Sequence, residues 1–436
     1  MTEHSQINGS PNSTRREFLK KSTASVVAGS VAANLGLASA VHAAGSDTLR
    51  IGLVGCGGRG TGAASQALSA DKNTRLVAMA DAFGDQLQSS LRSLKASHKD
   101  RVQVDEDHQF VGFDAYRHVI GSSDVVLLAT PPHFRPEHLR AAIGAGKHVF
   151  CEKPVAVDAP GIRSVLETAE LAKKKNLSLV SGLCWRYHHT IKATFDQMLS
   201  EQAIGEITAM QCSYHSGGVW DPRRTREQCA DDMEYQMRNW YYYTWLSGDF
   251  NVEQHIHSLD KLTWAMQDAA PVKVSGSGGR IQRDDPKYGN IYDHFAVVYE
   301  YANGVKAFSR CRHFQGCNND VTDHFFGTKG TCHVAGARTN IEGENPWRYE
   351  GPGCNMYQVE HDELFASIRA AKPINNGHYM SVSSMLAIAG RMAAYTGKTL
   401  TWDECINSKL DLNPPAYEWG PLETPKVAIP GITKFI

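Results

Sequence analysis

Three observations predict an α/β protein with a doubly wound parallel sheet in its first half and an α+β domain on a large mixed or antiparallel sheet in its second. From residue 48, short apolar runs alternate with helical stretches. A glycine-rich turn joins the first run to the first helical stretch, and beyond about residue 205 the apolar pattern shifts to period two. The chain has 436 residues, 42% hydrophobic and 21% charged, which supplies cores for two ordinary domains and excludes a largely disordered chain. A formal net charge of -1 gives no basic footprint, so neither nucleic acid nor a membrane surface is expected as a partner.

Residues 1–43 read as a targeting segment and stand apart from the fold. They carry Arg15-Arg16 in a polar start, a mildly apolar stretch from Ala24 to about Ala40, and a small-residue cleavage candidate at Val41-His42-Ala43. This pattern resembles the twin-arginine signal of bacterial export and implies a periplasmic or secreted protein. The apolar stretch is too short and weak for a membrane span, so no membrane association beyond export is expected. The ten cysteines show no paired metal-site spacing, no metal is expected, and any disulfide pairing stays open.

The first domain is expected over residues 47–180. Its strands are the apolar runs beginning at Thr48 and at 74–80, 125–129, 148–151 and 177–180, with helices at 138–145 and 162–175 among the crossovers. The second domain, 181–400, has period-two runs at 206–214, 272–277, 293–301 and 306–312. A polar and aromatic insertion at 216–245 is long enough to suggest function. Helical periodicity over 380–396 stops at Gly397, and residues 401–436 read as a C-terminal arm.

After the first strand, Gly55-Cys56-Gly57-Gly58-Arg59-Gly60 forms a G-x-G-x-x-G turn at the head of a helix. Gly55 allows the tight turn, Gly57 lets backbone approach a pyrophosphate, and Gly60 permits close helix-to-strand packing. The second strand ends in Asp81, 21 residues past Gly60, where a carboxylate can accept the adenosine ribose hydroxyls and repel a 2′-phosphate. The turn is therefore the fingerprint of a Rossmann domain, with NAD favoured over NADP. Arg59 is the one residue of the turn that could receive a phosphate, although its place in the turn faces it elsewhere.

Further along come Ala129-Thr130-Pro131-Pro132 with His138, then Ala145-Gly146-Lys147-His148-Val149 leading into Cys151-Glu152-Lys153-Pro154. With these motifs the chain resembles the Gfo/Idh/MocA oxidoreductase family over nearly all of its length beyond the targeting segment. The resemblance implies NAD-dependent oxidation or reduction of a secondary hydroxyl on a sugar, sugar derivative or cyclitol, and export in the folded state fits a tightly held NAD. It places Lys153 beside the nicotinamide and the reacting hydroxyl, and assigns Thr130, Pro131, Pro132, His138 and Glu152 to the cofactor side. A cationic ammonium there would stabilise the alkoxide that develops as hydride leaves carbon.

The family's second signature is matched by Glu253 and His257, four apart and expected on one helix face. His257 is the candidate proton acceptor, with Glu253 orienting or contacting substrate; the inositol-dehydrogenase subgroup usually has an aspartate at the Glu253 position. His255 is a rival that points to another face, and Asp260 is expected to be structural. Arg186, Tyr187 and Trp240 are further substrate candidates, and the aromatic cluster 240–245 could stack on sugars or join subunits. Relatives associate through the second-domain sheet, so a homodimer or homotetramer is expected.

Two other readings compete. In one, NAD serves a redox-neutral cleavage of glycosides by oxidation and elimination, although Gln254-His255-Ile256-His257 lacks the Thr-His-Gly type of run of such enzymes. In the other the chain binds dinucleotide without turnover, as a sensor or scaffold, against which Lys153 and His257 both argue.

Overall fold

Strands that carry helices on both faces must be apolar throughout, and Val125–Leu128, buried at all four positions, has that character. The computed structural model describes residues 48–436; the expected targeting segment lies outside them. The first half runs β1 (Leu49–Val54), α1 (Gly58–Ala70), β2 (Thr74–Asp81), α2 (Gly84–His98), β3 (Gln109–Val111), α3 (Ala115–Ser122), β4 (Val125–Leu128), α4 (Arg135–Gly144), β5 (His148–Cys151), α5 (Ala159–Lys174) and β6 (Leu179–Ser181). All six strands pair in parallel, in the order β3-β2-β1-β4-β5-β6. Strand order reverses between β1 and β4, which opens a crevice beyond their carboxyl ends.

The second half begins with α6 (His189–Leu199) and β7 (Ile207–Ser216). The insertion follows with α7 (Asp232–Arg238) and α8 (Thr244–Ser247), then α9 (Phe250–Glu253) and α10 (Ile256–Ala265). Strands β8 (Lys273–Gly279), β9 (His294–Glu300), β10 (Lys306–His313), β11 (Asp320–Gly327), β12 (Gly330–Ala335) and β13 (Arg338–Gly343) come next, then α11 (Met356–Arg369), α12 (Gly377–Thr396) and β14 (Leu400–Thr401). They build an eight-stranded sheet, β13-β12-β11-β7-β10-β9-β8-β14, in which only β7 and β10 pair in parallel. The sheet is thus mixed.

Helix α12 is apolar almost all round because it is buried almost all round, packed between α5, α10 and the mixed sheet. Gly397 closes it in the left-handed conformation, φ 70°, as its position after the periodic stretch implied. Helix α11 returns to the first half. It packs on α1 and buries Leu364, Phe365 and Ile368 in the parallel-sheet core, a return that hydrophobic periodicity could not reveal. The arm also runs back: Trp419 packs on Phe83 and Phe113, and Tyr417 bonds His133 Nε2 at 2.7 Å. None of the ten thiols forms a disulfide.

Lys261 of α10 and Asp323 of β11 form an ion pair at 2.6 Å with both side chains almost fully buried. Removing one partner strands the other charge. Lys261→Met is expected to lower stability by about 3–5 kcal/mol in urea unfolding, and Lys261→Met with Asp323→Leu to recover most of that loss.

Candidate active site

The glycine turn is built as its spacing implied. Gly55 has φ 95°, and a Cβ there would lie 2.6 Å from the backbone of Ala129 and Thr130. At Gly60 a Cβ would lie 1.9 Å from the Gly55 carbonyl oxygen, so the helix packs on the strand only as glycine. Gly57 and Gly58 instead border open space, with nothing within 4 Å of an added Cβ. Gly57 caps α1 without a side-chain acceptor, so the unpaired N–H groups and positive dipole end of a 13-residue helix face the crevice. These features fit a dinucleotide pyrophosphate.

That crevice is a cavity of about 760 Å³ which also contains Asp81, Thr130, Pro131, His138, Glu152, Lys153, Glu253, His257 and Trp240. Asp81 holds the turn as well as facing the cavity: its carboxylate accepts the Cys56 N–H at 2.7 Å and the Phe83 N–H at 2.9 Å. Burial pushes its pKa up from the usual carboxylate value. Two expected cofactor contacts fall away. Cys56 is buried behind the turn, with its thiol on the Ala80 carbonyl, and Pro132 is buried at the start of a 3₁₀ turn. Arg59 borders the cavity but spends its charge on Glu152 at 2.6 Å, leaving it poorly placed for a phosphate.

At the other end, Lys153 follows β5 and reaches across to α9. Its Nζ donates to the Glu253 carbonyl at 2.6 Å and to Glu253 Oε1 at 3.0 Å, with both side chains about 12% exposed. Glu253 therefore holds the lysine. The expected single helix through Glu253 and His257 is broken at Gln254-His255, where α9 ends and α10 begins, yet both side chains still face the cavity.

Short helix α9 is anchored by Asp249, whose backbone sits at φ 82°, a strained conformation for a residue with a Cβ. Its carboxylate accepts from the N–H groups of Phe250 and Tyr292 and from the Tyr395 hydroxyl, which over-determines the bend. Burial pushes the Asp249 pKa up to about 7. His257 is affected in the opposite direction: burial, and then the Lys153 charge, hold its pKa well below 6.5, so the imidazole is neutral and able to accept a proton. The rival His255 is buried against Ser309 Oγ at 2.7 Å.

Arg186 and Tyr187, expected near substrate, are core residues outside the cavity. Arg186 pairs with Asp260 at 3.0 Å and Asp268 at 2.6 Å beneath the Tyr379 ring, and the Tyr187 hydroxyl bonds Asn376. Asp260 is structural, as expected. Of the aromatic cluster only Trp240 borders the cavity; Tyr241, Tyr242, Tyr243 and Trp245 are buried packing.

Sequence reasoning missed Phe83, Tyr116, Arg135 and Tyr357, which share the cavity wall. It also missed Arg238, which lies in the insertion and lines the same cavity. Arg238 bonds Asp85 through Nη1 at 2.8 and 2.9 Å and lies 3.8 Å over Phe83, while Met233 and Gln236 of the same helix bond Gly420 and Leu422 of the arm. Insertion and arm together close over the Asp81 end.

Comparison with known proteins agrees with this geometry. Residues 49–181 match the family described as "Oxidoreductase family, NAD-binding Rossmann fold", and residues 193–333 match the "GFO/IDH/MocA C-terminal domain". The chain is 27% identical to inositol 2-dehydrogenase of Serratia proteamaculans over 363 residues, 79% of this chain and 95% of that protein. Among solved structures, aldose-aldose oxidoreductase of Caulobacter crescentus superposes with a TM-score of 0.64 at 19% identity, covering 81% of this chain and 99% of that one. Levoglucosan dehydrogenase, in complex with NADH and levoglucosan, superposes with a TM-score of 0.64 at 18% identity and the same coverage. These likenesses are of fold.

The open space at Gly57 separates binding from folding. Gly57→Ala is expected to leave stability within about 0.5 kcal/mol of wild type and to weaken NAD binding at least about tenfold, because a methyl group would occupy the approach to the helix end. Gly60→Ala is expected to lower the thermal unfolding midpoint by several degrees, since its Cβ meets backbone. Calorimetric titration with NAD and thermal unfolding of both variants check the contrast.

Proposed function

We propose a reaction from a fixed premise: the chain belongs to the Gfo/Idh/MocA family and is an NAD-dependent oxidoreductase. The reaction is oxidation of a secondary hydroxyl on a sugar, sugar derivative or cyclitol, or the reverse. The observation that carries this reading is the placement of the Lys153 ammonium group and the neutral His257 imidazole on the same cavity as the glycine turn. Bound NAD supplies the hydride acceptor. His257 takes the hydroxyl proton, and Lys153, held by Glu253, stabilises the charge that develops on the substrate oxygen. Trp240 offers an apolar face for a sugar ring.

Closure of the Asp81 end by Arg238 and the arm supports a cofactor that stays bound through turnover. Such retention favours a second reading, redox-neutral glycoside cleavage, in which the cofactor is regenerated in place. The twin-arginine motif supports export in the folded state, where a retained cofactor needs no outside supply. Phe308 and Phe326, exposed on the open face of the mixed sheet, support association into a dimer or tetramer through that face.

Purified protein given free sugars or cyclitols without added cofactor is expected to show one equivalent of nicotinamide reduced per site. Glycoside cleavage without net reduction would transfer the assignment to the second reading, and no response with or without added NAD would remove both. Lys153→Met is expected to keep NAD binding and to lower kcat by about 10²–10³. The depressed His257 pKa sets the sign of the pH response. Protonation removes the base only below pH 6.5, so the acid limb of kcat/KM is expected to lie below that value.

A further inference from the structure

Arg135 is the first residue of α4 and is buried to 5% exposure at the wall of the same cavity. Its Nη2 donates to the Thr130 carbonyl at 2.6 Å and its Nη1 to the Pro154 carbonyl, while Nε has no partner. Among the described residues no carboxylate lies at ion-pair distance from it. Three unfavourable choices coincide: a desolvated charge, no counter-ion in contact with it, and a cation at the positive end of a helix. An arginine keeps its proton even when buried, so the charge persists.

The carboxylates that act on Arg135, Glu152 and Glu253, do so only from beyond ion-pair distance, and each is already paired with another cation. Arg59 is matched by Glu152 and Lys153 by Glu253. His133, His138 and His257 are held neutral by burial, the first two with pKa values of about 4 and about 3. Glu360, fully buried 3.8 Å from Arg59, is pushed toward its neutral form by burial and then by the Glu152 charge, against the pull of Arg59. With Glu360 neutral, the three cations Arg59, Lys153 and Arg135 face two carboxylates, Glu152 and Glu253, at the Lys153 end.

We propose that Arg135 sets the redox preference of cofactor binding: its unmatched buried guanidinium disfavours the cationic ring of NAD⁺, so the site binds NADH more tightly than NAD⁺. The proposal rests on the reading above that the nicotinamide lies at the Lys153 end. Thr130 and Pro154 flank that end, and Arg135 ties their carbonyls together, so it is a positioning residue for Lys153 as well as a source of charge.

The test is equilibrium dialysis of the purified protein against defined NAD⁺/NADH mixtures, with the bound ratio read by absorbance and fluorescence. ADP-ribose, which lacks the nicotinamide, serves as the control ligand. Wild type is expected to favour NADH by about tenfold or more, Arg135→Lys to keep that preference within about threefold, and Arg135→Met to reduce it about tenfold, the order expected for one desolvated charge. ADP-ribose affinity is expected to change less than about threefold in both variants. A wild-type preference at or below one overturns the proposal even if Arg135→Met does not fold. So does an Arg135→Met protein that weakens all three ligands equally, which would mark a purely structural arginine. A wild type that binds ADP-ribose but shows no discrimination fails this inference alone, whereas one that binds none of the three ligands fails the functional reading beneath it.

Discussion

A partly buried ion pair between Lys153 and Glu253 is the contact on which the rest of the site depends. The lysine leaves the parallel sheet at the end of β5, and the glutamate sits on a one-turn helix of the second half. Neither half holds the lysine in place alone. A lysine side chain has four rotatable carbons and substantial rotamer entropy, so an ammonium free in a crevice would be poorly placed for catalysis. Two bonds from Nζ to one residue, through its carbonyl and its carboxylate, remove much of that freedom.

The cost of holding the lysine is moved outward. Glu253 is fixed by α9, α9 by the strained Asp249, and Asp249 by Tyr292 and Tyr395 from β9's approach and α12. Each step is a hydrogen bond in a buried setting, where an unmade bond is expensive and a made one is therefore rigid. The same setting keeps the surrounding histidines neutral. Burial thus acts twice, fixing geometry and deciding which groups carry charge.

The glycine turn and its following acid were legible because both are local. A tight bend, a close approach and a carboxylate at the end of the next strand each require a residue type at a fixed spacing. Lys153, Glu253 and His257 were also named, although the helix expected to carry the last two is interrupted between them. Arg186 and Tyr187 misled because a strand end followed by arginine and tyrosine looks alike whether those side chains turn to a crevice or to a core. Asp268, which takes the Arg186 charge, lies 82 residues away. Strands β11 to β13 escaped notice because their apolar residues are sparse, and α11 because its core contacts are with the opposite end of the chain.

By itself the sequence determined the parallel sheet, the mixed sheet, the dinucleotide turn and the residue types available for proton and charge transfer, since these follow from short-range periodicity and spacing. Only the tertiary structure decided which charges are matched. Arg59 and Arg186 meet carboxylates 93 and 74 residues away, whereas Arg135 meets only carbonyls, 5 and 19 residues away. Electrostatic energy depends on separation in space and on the water excluded between the groups, and neither is a property of neighbouring letters.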